Sequence, residues 1–497
     1  MYPNVSKYIK EGMLMLKQID LKKKAQWQDY DARMAHLRIQ MGELQRKCKE
    51  LGIPVTIVFE GFEAAGKGTM INRMIQPLDP RGFQVYTMEK EYEEDMRHPY
   101  LWRYHIKMPE RGRIDIFDHS WYQGLVEGRL TPEEVRLYEK QFTDDGMVLI
   151  KFFLGITKKE QKKRLETLDK DKSTSWRVTK KDWEKNKDYD IWMERFDKMI
   201  VQTDTSNAPW TIVEAMDKKY AICKIMTTVT GCLEEAVRKK EKGAVPAEYA
   251  ESPLTDDLLS GVLQGVDLTL DLEPQEYKDR KKVLQKKLGI LHNEMYRKRV
   301  PVILAFEGWD AGGKGGAIKR ITQSIDPRGY EVVPVASPND IEKAHHYLWR
   351  FWERFPKDGH MAIFDRTWYG RVLVERVEGF ATEQEWRRAY AEINNMEAHL
   401  AGSGAVVLKF WMHIDKDEQA ERFRQRQETP EKQWKITEED WRNRDKWDEY
   451  EKAVDEMIVR TSTKEAPWHI IEANSKLYAR IKVMEIVVEA LERALKK

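Results

Sequence analysis

A lysine that ends a glycine run, a carboxylate inside that run and a second carboxylate beside two arginines have the types and spacing for phosphate chemistry. They lie in GWDAGGKGG, Gly308 to Gly316, and in FDRTWYGR, Phe364 to Arg371. In the first, Lys314 would reach phosphate oxygens, Gly308 would allow the tight turn of a phosphate-binding loop, and Gly312, Gly313, Gly315 and Gly316 would let the backbone approach the phosphate closely. An apolar stretch from Val302 precedes the run and a helical pattern follows it. A helix N-terminus would therefore add its N–H groups and its dipole to the cradle. The Ser or Thr that usually holds a metal ion after such a lysine is replaced by Gly315. Other oxygens must then hold the metal, and Asp310 is a candidate.

In the second motif Asp365 ends an apolar stretch, the place of the Mg²⁺-holding carboxylate in phosphate-loop enzymes. Arg366 and Arg371 offer planar forks suited to phosphate. An Asp that only caps the next helix is the plainer reading. A third basic cluster, Arg422, Arg424, Arg426, Lys432 and Lys435, follows the next apolar stretch, and Arg422 and Arg426 share a helix face. An Arg-rich segment at this place closes over the phosphates in nucleotide kinases. The interspersed Glu421, Glu428 and Glu431 also fit a solvated charged helix.

The whole pattern is written twice. VTIVFEGFEAAGKGT, Val55 to Thr69, matches the second copy at an offset of 247, as do Asp79-Pro80-Arg81-Gly82 and Asp118. Further on the offset is 258, pairing Lys151 with Lys409, Trp176 with Trp434 and Trp210 with Trp468. Eleven extra residues therefore stand between Tyr369 and Lys409. So many aromatics in register mark an internal duplication. The first copy has lost most of its charges. Glu63 stands for Asp310, His119 for Arg366, Gly124 for Arg371, Glu166 for Arg424 and Leu168 for Arg426. Lys67, Asp118 and Arg164 keep their chemical type. A polyanion needs several fixed cations in a partly desolvated groove, so catalysis is expected in the second copy alone.

These residues need a strand-and-helix frame. Leu37, Met41 and Leu44, like Leu284, Leu288 and Leu291, recur at helical spacing ahead of each glycine run. Strands are expected at 55–60, 83–86, 113–117, 148–154 and 210–213, and at their partners in the second copy. The stretch at 148–154 is almost wholly apolar, as a doubly buried parallel strand should be. The expected fold is α/β, with two tandem domains, each a parallel sheet flanked by helices and closed by a helical lid. Residues 1–236 and 273–497 form the domains. Residues 237–272 form a linker whose Leu258, Leu259, Val262 and Leu263 should pack on a domain surface.

Composition sets outer bounds. Lys and Arg total 86 against 84 Asp and Glu, a near balance that argues against a general nucleic-acid binder. Three cysteines, Cys48, Cys223 and Cys232, make neither a metal cluster nor a disulfide framework. No long apolar run or leader-like segment is present, so a cytoplasmic protein without membrane contact is expected.

Taken together, GWDAGGKGG, DPRG (326–329), YLWRFW (347–352), FDRTWYGR, RFRQRQETPEKQWKIT (422–437) and APW (466–468) resemble the family-2 polyphosphate kinases. The tandem arrangement is similar to the two-domain class of that family. The resemblance implies phosphorylation of AMP to ADP from inorganic polyphosphate, with Mg²⁺ or Mn²⁺. It gives metal or catalytic roles to Asp310 and Asp365, with Lys314, Arg366, Arg371, Arg422 and Arg426 around the phosphates. GMP or nucleoside diphosphates as acceptors, ATP as donor, and a non-catalytic polyanion binder are the alternatives. Two modules in one chain could mimic a dimer and still pair further.

Overall fold

The computed structural model describes residues 15–25, 28–243, 261–436 and 438–496, the side chains of 432, 434, 435 and 439 excepted. By their contacts the described residues divide into two units. The first spans Met1–Tyr92, Arg103–Ala247 and Lys343–His346; the second spans Glu93–Trp102, Glu248–Glu342 and Tyr347–Lys497.

In the first unit five strands are β1 (Val55–Gly61), β2 (Phe83–Thr87), β3 (Ile114–Asp118), β4 (Val148–Gly155) and β5 (Trp210–Glu214). They form one parallel sheet in the order β2-β3-β1-β4-β5. The second unit repeats it with β6 (Val302–Gly308), β7 (Tyr330–Pro334), β8 (Met361–Asp365), β9 (Val406–His413) and β10 (Trp468–Glu472). β1 is buried along its whole length and β4 and β9 at all but their first residue, because helices cover both faces.

Among the described residues seven helices of eight or more residues flank each sheet. They are α1 (Tyr30–Glu50), α2 (Lys67–Ile75), α3 (Pro132–Asp144), α4 (Lys158–Lys170), α5 (Lys180–Lys187), α6 (Tyr189–Thr203) and α7 (Lys218–Glu241) in the first unit. The second unit has α8 (Pro274–Lys298), α9 (Lys314–Thr322), α10 (Glu383–Gly402), α11 (Lys416–Glu428), α12 (Glu438–Asp445), α13 (Trp447–Thr461) and α14 (Lys476–Leu495). Leu37, Met41 and Leu44 on α1 and Leu284, Leu288 and Leu291 on α8 are buried, as their spacing predicts. α7 continues through Glu241, into the stretch expected to be linker, because Val237 is still core. Leu258 and Leu259 lie outside the described residues. Leu263 is buried, and the Asp455 carboxylate accepts from Gly261 N at 2.8 Å and Leu263 N at 3.0 Å, which fixes this part of the linker to the second unit.

One buried polar knot accounts for three of the matched aromatic pairs. Lys409 donates to the Glu397 carboxylate (2.7 Å), the Tyr369 hydroxyl (2.8 Å) and the Thr461 carbonyl (2.6 Å). Trp368 and Tyr369 also donate to Glu397, and Trp468 donates to Thr461. The first unit builds the same knot from Lys151, Glu139, Trp121, Tyr122, Thr203 and Trp210. Both lysines are fully buried, so a partner carboxylate is required.

Candidate active site

β6 delivers the chain to a turn that ends at α9. Gly308 has φ 146°, and a Cβ there would lie 2.6 Å from the Met412 carbonyl of β9. The packing of its own sheet thus requires a glycine here. Gly313, with φ 104°, is the left-handed N-cap of α9. A Cβ on Gly315 would meet nothing within 4 Å, so the first turn of α9 opens onto free space. Lys314 is folded back onto its own loop, donating to Gly308 O at 2.7 Å and Trp309 O at 3.3 Å. Trp309 stacks on Trp447 of α13 at 3.7 Å, which anchors the loop.

Asp310 faces a cavity lined by Glu307, Arg366, Gln419, Asn443 and Tyr450 among others. Its carboxylate accepts from Asn443 Nδ2 at 2.9 Å and sits 3.3 Å from Arg366 Nη2. Arg366 follows the end of β8 with φ 67°, a left-handed turn that leaves its guanidinium half exposed beside the loop. Asp365 closes β8, and among the described residues no side chain or backbone group bonds its carboxylate. Glu307 takes Thr367 N at 2.7 Å and Thr367 Oγ1 at 2.8 Å, tying the end of β6 to the end of β8. Burial pushes the Glu307 carboxyl up, against the pull of Lys314 and Arg366. Glu307, Asn443 and Tyr450 escaped the sequence reading. The only signal for Glu307 was its match to Glu60, which clamps Ser120 in the same way.

Two expected phosphate ligands are placed otherwise. Arg422 is 3% exposed and spends its guanidinium on Ala311 O (2.8 Å), Ala473 O (2.6 Å), Asn474 O (2.9 Å) and Glu418. It is a strut under the loop, not a lid residue. A buried guanidinium with so many carbonyls to satisfy has no fork left for phosphate. Arg371 lies over the Tyr347 ring at 4.4 Å and pairs with Glu375, so it is not brought to the Asp310 cavity. Arg426 lies one turn beyond Arg422, partly buried. The side chains of Lys432 and Lys435 lie outside the described residues. Gly316, in the first turn of α9, has the Arg480 guanidinium above it.

The first unit holds the same frame with another filling. Lys67 is buried and reaches Gly61 O at 3.2 Å. Glu63 is ion-paired with Lys185 at 2.5 Å, at the position of Asn443. Against burial, Lys67, Lys185 and His119 hold the Glu63 carboxyl at about 2. Its negative charge is answered within the protein. Asp118 Oδ1 is buried with no partner. Arg164 repeats the strut, donating to Ala65 O at 2.9 Å and Ala215 O at 2.8 Å.

Among the described residues no group of three or more His, Cys, Asp or Glu side chains could hold a metal. Two carboxylates beside a phosphate cradle still fit Mg²⁺, which keeps several waters and takes phosphate oxygens as ligands. The unbonded Asp365 carboxylate is the observation that supports this fit. Among the described residues no helix is long and apolar enough to cross a membrane.

The chain is similar to known proteins over nearly its whole length. The family model of polyphosphate kinase 2 matches residues 23–242 and 271–497. A polyphosphate:AMP phosphotransferase of Pseudomonas aeruginosa is 40% identical over 484 residues, covering 94% of this chain and 97% of that protein. One from Acinetobacter johnsonii is 37% identical over 451 residues, covering 88% and 91%. A crystal structure of a Pseudomonas aeruginosa protein described as a polyphosphate kinase 2 superposes with a TM-score of 0.84 at 36% identity, covering 97% of this chain and 99% of that one.

Proposed function

Because the chain belongs to the polyphosphate kinase 2 family, we propose that its second unit transfers a phosphoryl group from inorganic polyphosphate to AMP, giving ADP. The observation that carries the reading is the grouping of Asp310, Arg366 and Lys314 around the open first turn of α9, beside the unbonded Asp365. A bond forms between an AMP phosphate oxygen and the terminal phosphorus of the donor, and the phosphoanhydride behind that phosphorus breaks. One anhydride replaces another, so the reaction runs readily in both directions. The AMP phosphate, with its second pKa at about 6, is mostly dianionic at neutral pH. No strong general base is needed, and the task becomes positioning and neutralising like charges.

Lys314 would swing from its loop carbonyls to the transferring phosphate. Arg366, half exposed, would hold its equatorial oxygens. Asp365 and Asp310 would hold Mg²⁺, which when bound draws phosphate oxygens together and offsets their charge. Arg422 acts from beneath, keeping the Ala311 carbonyl turned away from the anion. ADP formation from AMP, polyphosphate and Mg²⁺ tests the assignment. Lys314→Ala should lower kcat by at least a thousandfold, and Lys67→Ala by less than threefold, since Lys67 is buried among Glu63, Asp118 and Glu60. Comparable losses in both variants would refute the division of labour.

A further inference from the structure

Three helices of the second unit bring cations together with no carboxylate to oppose them. Arg320 of α9 donates from Nε to the Tyr277 hydroxyl of α8 at 3.4 Å and from Nη1 to Gly316 O at 3.4 Å. Lys281 of α8 lies 5.4 Å from the Tyr277 ring. Arg480 of α14 lies over the first turn of α9, its Nη2 3.4 Å from where a Gly316 Cβ would stand. Among the described residues none of the three makes an ion pair. Neighbouring cations on the same helices do. Arg280 pairs with Glu276 and Glu485, and Lys287 with Glu492.

Part-buried like charges without a counter-charge repel one another and lose hydration. Burial and Arg320 accordingly pull Arg480 below its ordinary value. Arg480 in turn disfavours the charge on Arg422, the strut under the phosphate loop, so the cluster adjoins the cradle. A fold that keeps such a cluster leaves room for an anion supplied from outside. The first unit shows the alternative. Ile222 stands for Arg480, Met34 for Lys281 and Thr69 for Gly316, while Arg73 and Tyr30 are retained. A Cβ at position 316 would come into contact with the guanidinium, so the two positions are neighbours that change together between the copies.

We propose that Arg480, Arg320 and Lys281 form a second anion subsite, beside the first turn of α9, that takes the tail of the donor chain beyond the phosphate being transferred. The inference rests on polyphosphate as donor. A chain long enough to reach both sites would be gripped twice, and a short donor only at the cradle.

The test compares long-chain polyphosphate with tripolyphosphate in the full-length protein, for wild type, Arg480→Ile and Arg480→Lys. Arg480→Ile should raise KM for long-chain polyphosphate about tenfold, or ~1.4 kcal/mol. KM for tripolyphosphate should move less than twofold, kcat and KM for AMP should hold, and Arg480→Lys should recover most of the loss. A merely structural role would lower kcat with both donors alike, and that result overturns the subsite. So does an unchanged KM for both donors, or a shift that falls on AMP. A wild type that makes ADP from neither donor refutes the donor assignment itself and is thereby told apart from failure of the subsite.

Discussion

Arginine is retained at 164 and 422 for a reason that its neighbours in sequence do not reveal. Both guanidiniums bind carbonyls of their own phosphate loop and of the segment after the last strand. The loop would otherwise carry buried carbonyls without donors. Arg164→Ala should therefore destabilise the first unit by roughly 2–4 kcal/mol. Calorimetry on the full chain checks it, and an unmoved transition would show that the carbonyls find water instead. Asp115 gives a pH-dependent case. It is buried in β3, its Oδ1 has no partner, and burial lifts its carboxyl to about 7. The folded state thus prefers the neutral acid, so stability falls as pH rises from about 4 to about 7 and stays low above it. Asp115→Asn should raise the melting temperature more at pH 8 than at pH 5, and an equal gain at both would rule out titration of this group.

Strand positions and helix faces were legible from periodicity, because a doubly wound parallel sheet imposes apolar runs on its strands and a 3.6-residue stripe on its helices. The eleven-residue excess of the second copy was visible only as a number. The structure divides it. From the capping Thr131 to Glu139 in α3, and from Thr382 to Glu397 in α10, the second copy is seven residues longer. Seven residues are about two turns, so the glutamate returns to nearly the same face and still meets its lysine. The remaining four lie ahead of Thr382, a stretch where Glu378 pairs with Arg442 and Lys446. The buried pair itself was hidden from sequence reading, since a lysine inside an apolar strand gives no hint of which carboxylate it meets. Burial pushes Glu397 up and Lys409 down, and their contact opposes both shifts. Lys409→Met should cost about 3–5 kcal/mol by leaving the glutamate uncompensated. A denaturant midpoint that does not fall would mean that the pair is not charged in the fold.

Duplication gave this molecule two frames and one complete set of cations. The charge differences between the copies were plain in the sequence, and they are what assigns the proposed site to the second unit. The roles of individual arginines were not, because identical chemistry serves a strut at 422, a ring contact at 371 and an exposed fork at 366. The first unit likewise differs by more than a missing residue. Lys185 supplies from within the positive charge that an outside cation would bring to Glu63. Glu63→Asp with Lys185→Asn would rebuild the pairing of Asp310 with Asn443 and release the carboxylate. It would not supply an arginine at His119 or at Ile222, so the phosphates would still lack fixed cations. In a Lys314→Ala background this double variant should therefore form ADP at below about 1% of the wild-type rate, since each absent guanidinium removes charge stabilisation that the carboxylate does not replace. Adding His119→Arg tests the next step. Recovery by the double variant alone would show that the internal ion pair is the whole of the defect, and that the two units differ by one neutralised carboxylate.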